Sequence, residues 1–120
     1  MAARLIESSF TNKRDIARIT TSNSAVPMKK VADGTELKYV GYVIQEITND
    51  QTGEVFNSIV IKTDDNKLYA TRSETFIRSL KEILEICKGE DGEPDGDPII
   101  LKIERLESKN GNEFVTCALA

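Results

Sequence analysis

Apolar and polar positions alternate with period two along several stretches of the chain and with period near 3.6 along one. Residues 37–44, Leu-Lys-Tyr-Val-Gly-Tyr-Val-Ile, are rich in strand formers and carry Gly41 at their middle, where a bulge or sharp bend is permitted. Turn chemistry follows at 49–53. Val55 to Thr63 then predicts a strand with Val55, Asn57, Ile59 and Ile61 on one face and Phe56, Ser58, Val60 and Lys62 on the other. Asp64-Asp65-Asn66 is the next turn, and 67–71 predicts a third strand, so these segments form an antiparallel meander.

The period then changes. Phe76, Leu80, Ile83, Leu84 and Cys87 fall on one helical stripe, with Arg78, Lys81, Glu82 and Glu85 on the wet side. This predicts a helix from Glu74 to Cys87, capped by Ser73 and stopped at Gly89. Two strands follow, over 98–107 and 113–119, joined by Ser108-Lys109-Asn110-Gly111-Asn112; Asn-Gly between apolar strands is a hairpin signal. Towards the N-terminus a weaker helix spans 12–19 with Thr11 as its cap, then a loop at 20–24, and Pro27 bars further helix. Residues 1–30 therefore read as an arm with a short helix, and 31–120 as the domain.

Three strands, a helix and two strands give a mainly β fold, with the element order of a five-stranded OB-like barrel. The ligands commonest to that barrel are single-stranded nucleic acids and oligosaccharides. An α+β sheet with the helix packed on one face is the alternative.

Charge complicates a nucleic-acid reading, because the net formal charge is −4. Its distribution is uneven. Residues 1–30 hold Arg4, Lys13, Arg14, Arg18, Lys29 and Lys30 against Glu7 and Asp15, a local +4 that leaves −8 for the rest, much of it in residues 90–97. Screening over about 8–10 Å lets a basic groove act despite distant acids. No apolar run reaches the roughly 20 residues of a membrane span, and the first residues lack the apolar core of a signal peptide, so a cytoplasmic protein is expected. Cys87 and Cys117 lack zinc spacing and sit in apolar patterns, which predicts buried free thiols.

Catalysis finds little support. The chain has no histidine, Ser73 and Thr75 have no identifiable base, and no Gly-rich phosphate loop is present. A non-catalytic protein without cofactor, metal or small-molecule substrate is the expectation. Asp91-Gly92-Glu93-Pro94-Asp95-Gly96 imitates the start of a calcium loop, but its twelfth place is Lys102, within a strand.

The strongest constellation is the outer face of the second and third meander strands. With Ile59 and Ile61 inward, Phe56, Ser58 and Lys62 point out; with Leu68 and Ala70 inward, Lys67, Tyr69 and Thr71 point out. Rings interleaved with lysines suit a single strand, since rings stack on bases and lysines follow phosphates. The competing reading covers Phe56 and Tyr69 with the arm or a partner protein. Tyr39 and Tyr42 have opposite parity unless Gly41 carries a bulge, and Tyr42 is expected to be the exposed ring. Lys38, Arg72, Arg105 and Lys109 are further phosphate candidates, each equally suited to a surface salt bridge. Lys29 and Lys30, where the arm joins the domain, complete the set.

Gly41-Tyr42, Thr52-Gly53-Glu54, Leu68-Tyr69-Ala70-Thr71-Arg72-Ser73, Thr75-Phe76-Ile77-Arg78-Ser79 and Gly111-Asn112-Glu113-Phe114-Val115-Thr116-Cys117 together resemble the small single-stranded DNA-binding proteins of tailed phages that replicate linear genomes by protein priming. The resemblance covers about residues 34–119. It implies coating of displaced strands in the host cytoplasm without sequence preference, with stacking by tyrosine. The last strand, ending at Ala120, offers an edge for self-association along the bound strand. A protein-interaction module, structural or host-directed, using the same exposed strip is the alternative.

Overall fold

The computed structural model describes residues 2–22, 24–87, 98–111 and 113–120. The helix stop at Gly89, the acidic stretch 90–97 with its calcium-like spacing, and the loop residues Asn23 and Asn112 lie outside them. In chain order the described elements are β1 (Ala2–Ser8), α1 (Lys13–Thr20), β2 (Val26–Pro27), a 3-10 turn at Met28–Lys30, β3 (Glu36–Thr48), β4 (Val55–Thr63), β5 (Leu68–Thr71), α2 (Glu74–Cys87), β6 (Ile100–Glu107) and β7 (Glu113–Leu119).

The fold is mainly β. Its strands form one curled, half-barrel sheet in the order β2-β5-β4-β3-β6-β7, with β1 also paired to β3. The long strand β3 makes this possible by serving several neighbours. Glu36, Leu37 and Lys38 pair with β6, residues 39–48 pair with β4, and residues 43–48 pair with β1 along the opposite edge. A register shift between Tyr39 and Gly41 bends β3 where its partners change. All pairings are antiparallel except the short β2–β5 contact.

Among the described residues seven strands stand where the alternation alone predicts five. The two additional ones, β1 and β2, come from the N-terminal segment, whose helix α1 is capped by Asn12 rather than Thr11. The Asn12 side chain accepts from the amides of Arg14 (2.8 Å) and Asp15 (3.3 Å), leaving Thr11 one place too early.

Turn residues set the hairpins. Gly53 has φ 72° and donates to the Asn49 carbonyl at 2.7 Å, closing β3–β4. Asn66 closes β4–β5 in the left-handed region, at φ 63°, which asparagine tolerates better than most residues. Gly111, at φ 79°, donates to the Ser108 carbonyl in the β6–β7 turn.

The core lies between the inner face of the curled sheet and α2. Phe76 and Leu80 of α2 are fully buried against Ile59, Ile61, Leu101 and Ile103, and Met28 of the 3-10 turn joins them. Burying a side chain the size of Phe76 stabilises by roughly 1.5–3 kcal/mol. Ser73 ties the helix down. Its hydroxyl accepts from the Phe76 amide at 3.2 Å, as an N-cap should, and donates to the Val115 carbonyl of β7 at 2.6 Å. Ser79 and Thr116 share a further hydroxyl contact at 3.0 Å. Cys117 is buried and Cys87 half-buried, both as free thiols; burial pushes the Cys117 thiol up to about 12. Among the described residues no helix is long and apolar enough to cross a membrane.

Candidate nucleic-acid interface

Residues directly opposite each other on paired strands share a face, so the register decides what the outer surface carries. Ile59 pairs with Ile44 and Ile61 with Tyr42, all buried, which sends Phe56, Ser58, Val60 and Lys62 of β4 outward as expected. Their partners on β3 are Ile47, Gln45, Val43 and Gly41. Beyond β3, Leu5 of β1 lies opposite Gln45 and is 47% exposed.

On β5 the expectation is reversed. Tyr69 pairs with Ile61 and Thr71 with Ile59, so Tyr69 packs against the core, while Leu68 and Ala70 face outward beside Lys62 and Val60. All four β5 residues are half-buried, so the strand shows no polar side by which sequence could orient it.

Tyr42 is corrected too. The shift at Tyr39 and Gly41 puts Tyr39 opposite Thr63 and Tyr42 opposite Ile61, both on the inner face. Tyr42 is 8% exposed, and its hydroxyl donates to Glu7 Oε1 at 2.8 Å. Glu7 also receives Lys81 Nζ at 2.6 Å, so one carboxylate joins β1, β3 and α2. The lysine contact holds the Glu7 carboxyl below its ordinary value. Burial, reinforced by that carboxylate, raises the Tyr42 phenol well above its own, and burial alone pushes Tyr39 up to about 12. Stacking by tyrosine therefore has no ring on the outer face: Tyr39, Tyr42 and Tyr69 all belong to the core side.

The aromatic that β4 itself carries on the outer face is the half-buried Phe56. Arg72, just past β5, places its guanidinium carbon 5.0 Å from the Phe56 ring centroid, within cation–π range. Arg72 has no ion pair among the described residues. Phe56, Arg72, Ser58, Gln45, Ile47 and Leu5 thus make a strip of one ring, one cation, polar groups and apolar flanks.

The other end of the same face is occupied. Ser8 and Ser9 end β1 in a tight turn: the Ser9 hydroxyl accepts the Tyr42 amide at 2.8 Å, and the Phe10 amide donates to the Ser8 hydroxyl at 3.0 Å. This turn lays the Phe10 ring over Gly41, so closely that a Cβ at Gly41 would come 2.4 Å from a ring carbon. Val43, at 1% exposure, and Ile19 of α1 are buried here. Lys62 lines a cavity with Asp15, Arg18 and Ile19 of α1 and with Asn66 and Leu68.

The remaining cations are dispersed. Lys67 pairs with Asp65 at 3.8 Å. Arg105 pairs with Glu113 and lines a groove with Asp33, Glu107 and Glu113, surroundings that disfavour phosphate. Lys29, Lys30, Lys38 and Lys109 are exposed, the first two on the turn whose Met28 anchors beside β5, and Lys109 at the β6–β7 hairpin. Residues that sequence reasoning missed here are Leu5, Gln45 and Ile47. The first depends on an unforeseen strand.

Comparison with protein-family models, with curated proteins and with solved structures gave no match to this chain.

Proposed function

We propose that the chain is a non-catalytic single-stranded DNA-binding protein of the kind tailed phages use to coat displaced strands during replication. The observation that carries the reading is the outward Phe56 ring of β4 beside the Arg72 guanidinium, which has no ion pair among the described residues. A ring offers any base a stacking face, and a neighbouring arginine supplies charge for the phosphate, so the pair suits binding without sequence preference. The fold reading supports it. With β1 and β2 set aside, β5-β4-β3-β6-β7 is the third-second-first-fourth-fifth order of an OB barrel, with α2 in the expected place between the third and fourth strands. In such barrels the outer face of the second and third strands and the two loops flanking it take oligonucleotides. Here those are β4 and β5, with residues 49–54 and the hairpin carrying Lys109.

Anisotropy of a labelled oligo-dT, titrated with the protein at several salt concentrations, tests the proposal. Phe56→Ala should weaken binding about 5- to 150-fold, the equivalent of the roughly 1–3 kcal/mol of one base–ring stack. Its thermal midpoint should stay close to that of the parent.

One observation favours a second reading, a protein-binding strip. Leu5 and Ile6 are 47% and 44% exposed on β1, a strand paired on one edge only, and such an edge accepts another strand. Failure of oligo-dT to bind even at low salt passes the strip to that reading.

A further inference from the structure

The cavity between α1 and the β4–β5 hairpin has a volume of about 160 Å³. That is the space of roughly five water molecules, and below the roughly 300 Å³ at which drug-sized pockets begin. Its occupant is one small unit of a ligand. Two walls differ in chemistry. Ile19, 6% exposed, and the half-buried Leu68 supply apolar surface, whereas Arg18, Lys62 and Asn66 bring two cations and an amide to the same space.

Neither cation is wasted on a distant partner. Arg18 Nη1 is held by Asp15 Oδ1 at 3.1 Å one helical turn away, which orients the guanidinium and leaves its other nitrogens to serve a ligand. Lys62 has no ion pair among the described residues. Asp15 also lines the cavity, so the charge there sums to one positive unit, enough for a monoanionic phosphodiester. Asn66 is fixed by its left-handed turn, with its backbone N–H donating to the Thr63 carbonyl at 3.0 Å. Its side chain presents both a donor and an acceptor, as the edge of a nucleobase requires.

We propose that this cavity takes the sugar-phosphate part of one nucleotide unit, with the sugar against Ile19 and Leu68, the phosphate between Arg18 and Lys62, and the base at the mouth beside Asn66. This rests on the single-strand reading for its natural occupant, a nucleotide within the bound strand, although a free nucleotide has the same chemistry. Lys62 lies six residues beyond Phe56 on the same face of β4, roughly 20 Å at about 3.3 Å per residue. A strand reaching from the Phe56–Arg72 pair to the cavity would therefore follow β4 and β5 past the edge of the Phe10 cover, and α1 would be a wall of the binding surface, not an appendage.

Two titrations of the full chain test this, one with labelled oligo-dT and one with dTMP, on the parent and on the double variant Arg18→Gln, Lys62→Gln. Lys13→Gln, which removes a charge from an exposed position of α1 outside the cavity, is the control. Loss of two phosphate contacts should flatten the dependence of log affinity on log salt by about 1.4, at about 0.7 per contact on single strands, while the control leaves it unchanged. If oligo-dT binds the parent and the double variant with the same slope and affinity, the cavity is off the strand's path and the inference falls while the single-strand reading stands. If the parent binds no oligo-dT, that reading falls, and dTMP decides the cavity. Binding of dTMP that the double variant loses would make it a free-nucleotide site; binding that is absent, or equal in both proteins, overturns it.

Discussion

The two ends of the outer face of β4 begin from the same alternation and finish differently. At one end the half-buried Phe56 lies against the exposed Arg72 guanidinium, beside Ser58 and Gln45; at the other, Lys62 and the paired Gly41 and Val43 lie beneath Phe10 and α1. Period-two patterning specifies which side of a strand a residue takes, and nothing more. Whether that side meets water depends on a segment more than thirty residues earlier in the chain, which folds back over one end only.

Removing the cover is the strongest way to break this contrast. Gly41→Ala would drive a methyl group into the Phe10 ring and the Ser9 hydroxyl, 2.4 and 2.8 Å away, so that these two side chains must give way. It should cost about 1–3 kcal/mol, the usual penalty of overpacking, read as a lower denaturant midpoint. Hydrogen exchange should rise across Ser8–Tyr42 contacts and α1 while Phe56 and its neighbours on β4 keep their protection.

A smaller effect sharpens the comparison by loosening β1 alone. Glu7→Gln weakens the link from Lys81 through Glu7 to Tyr42 and should cost about 1 kcal/mol or less at neutral pH, since both charged groups are part-exposed. The pH dependence is diagnostic. Because the Glu7 carboxyl is held below its ordinary 4.5, its contribution is complete above that value and is lost as pH falls through the lowered one. The difference in midpoint between parent and variant should therefore shrink on acidification below about pH 4.5.

The least effect is expected at the open end. Arg72→Gln removes an exposed cation–π contact, costing about 0.5–1 kcal/mol at most in stability. If Arg72 also meets a phosphate, the salt slope of oligo-dT binding should fall by about 0.7.

Much of the fold was legible. β4, α2 and β7 have the bounds their patterns predict, because each buries one clear face: Ile59 and Ile61 in β4, Phe76 and Leu80 in α2, Val115 and Cys117 in β7. β1 was illegible for the opposite reason. Leu5 and Ile6 are adjacent and both exposed, so Ala2–Ser8 carries no alternation, and backbone pairing with a bulge near Ile6 makes it a strand. Of the candidate site, Phe56 and Lys62 followed from parity. Tyr42 did not, because one extra residue beside Gly41 moves every later side chain of β3 to the other face. Tyr69 did not either: only pairing with Ile61, a long-range fact, orients a strand whose residues are all half-buried.

The placement of the tyrosines has an optical consequence. The chain contains no tryptophan, and its three tyrosines all sit on the inner side of the sheet. Near-ultraviolet emission and circular dichroism from this protein are therefore reporters of the interior. They will follow unfolding closely, while the outer strip, whose ring belongs to a phenylalanine that scarcely absorbs at tyrosine wavelengths, stays spectroscopically dark whether or not something lies on it.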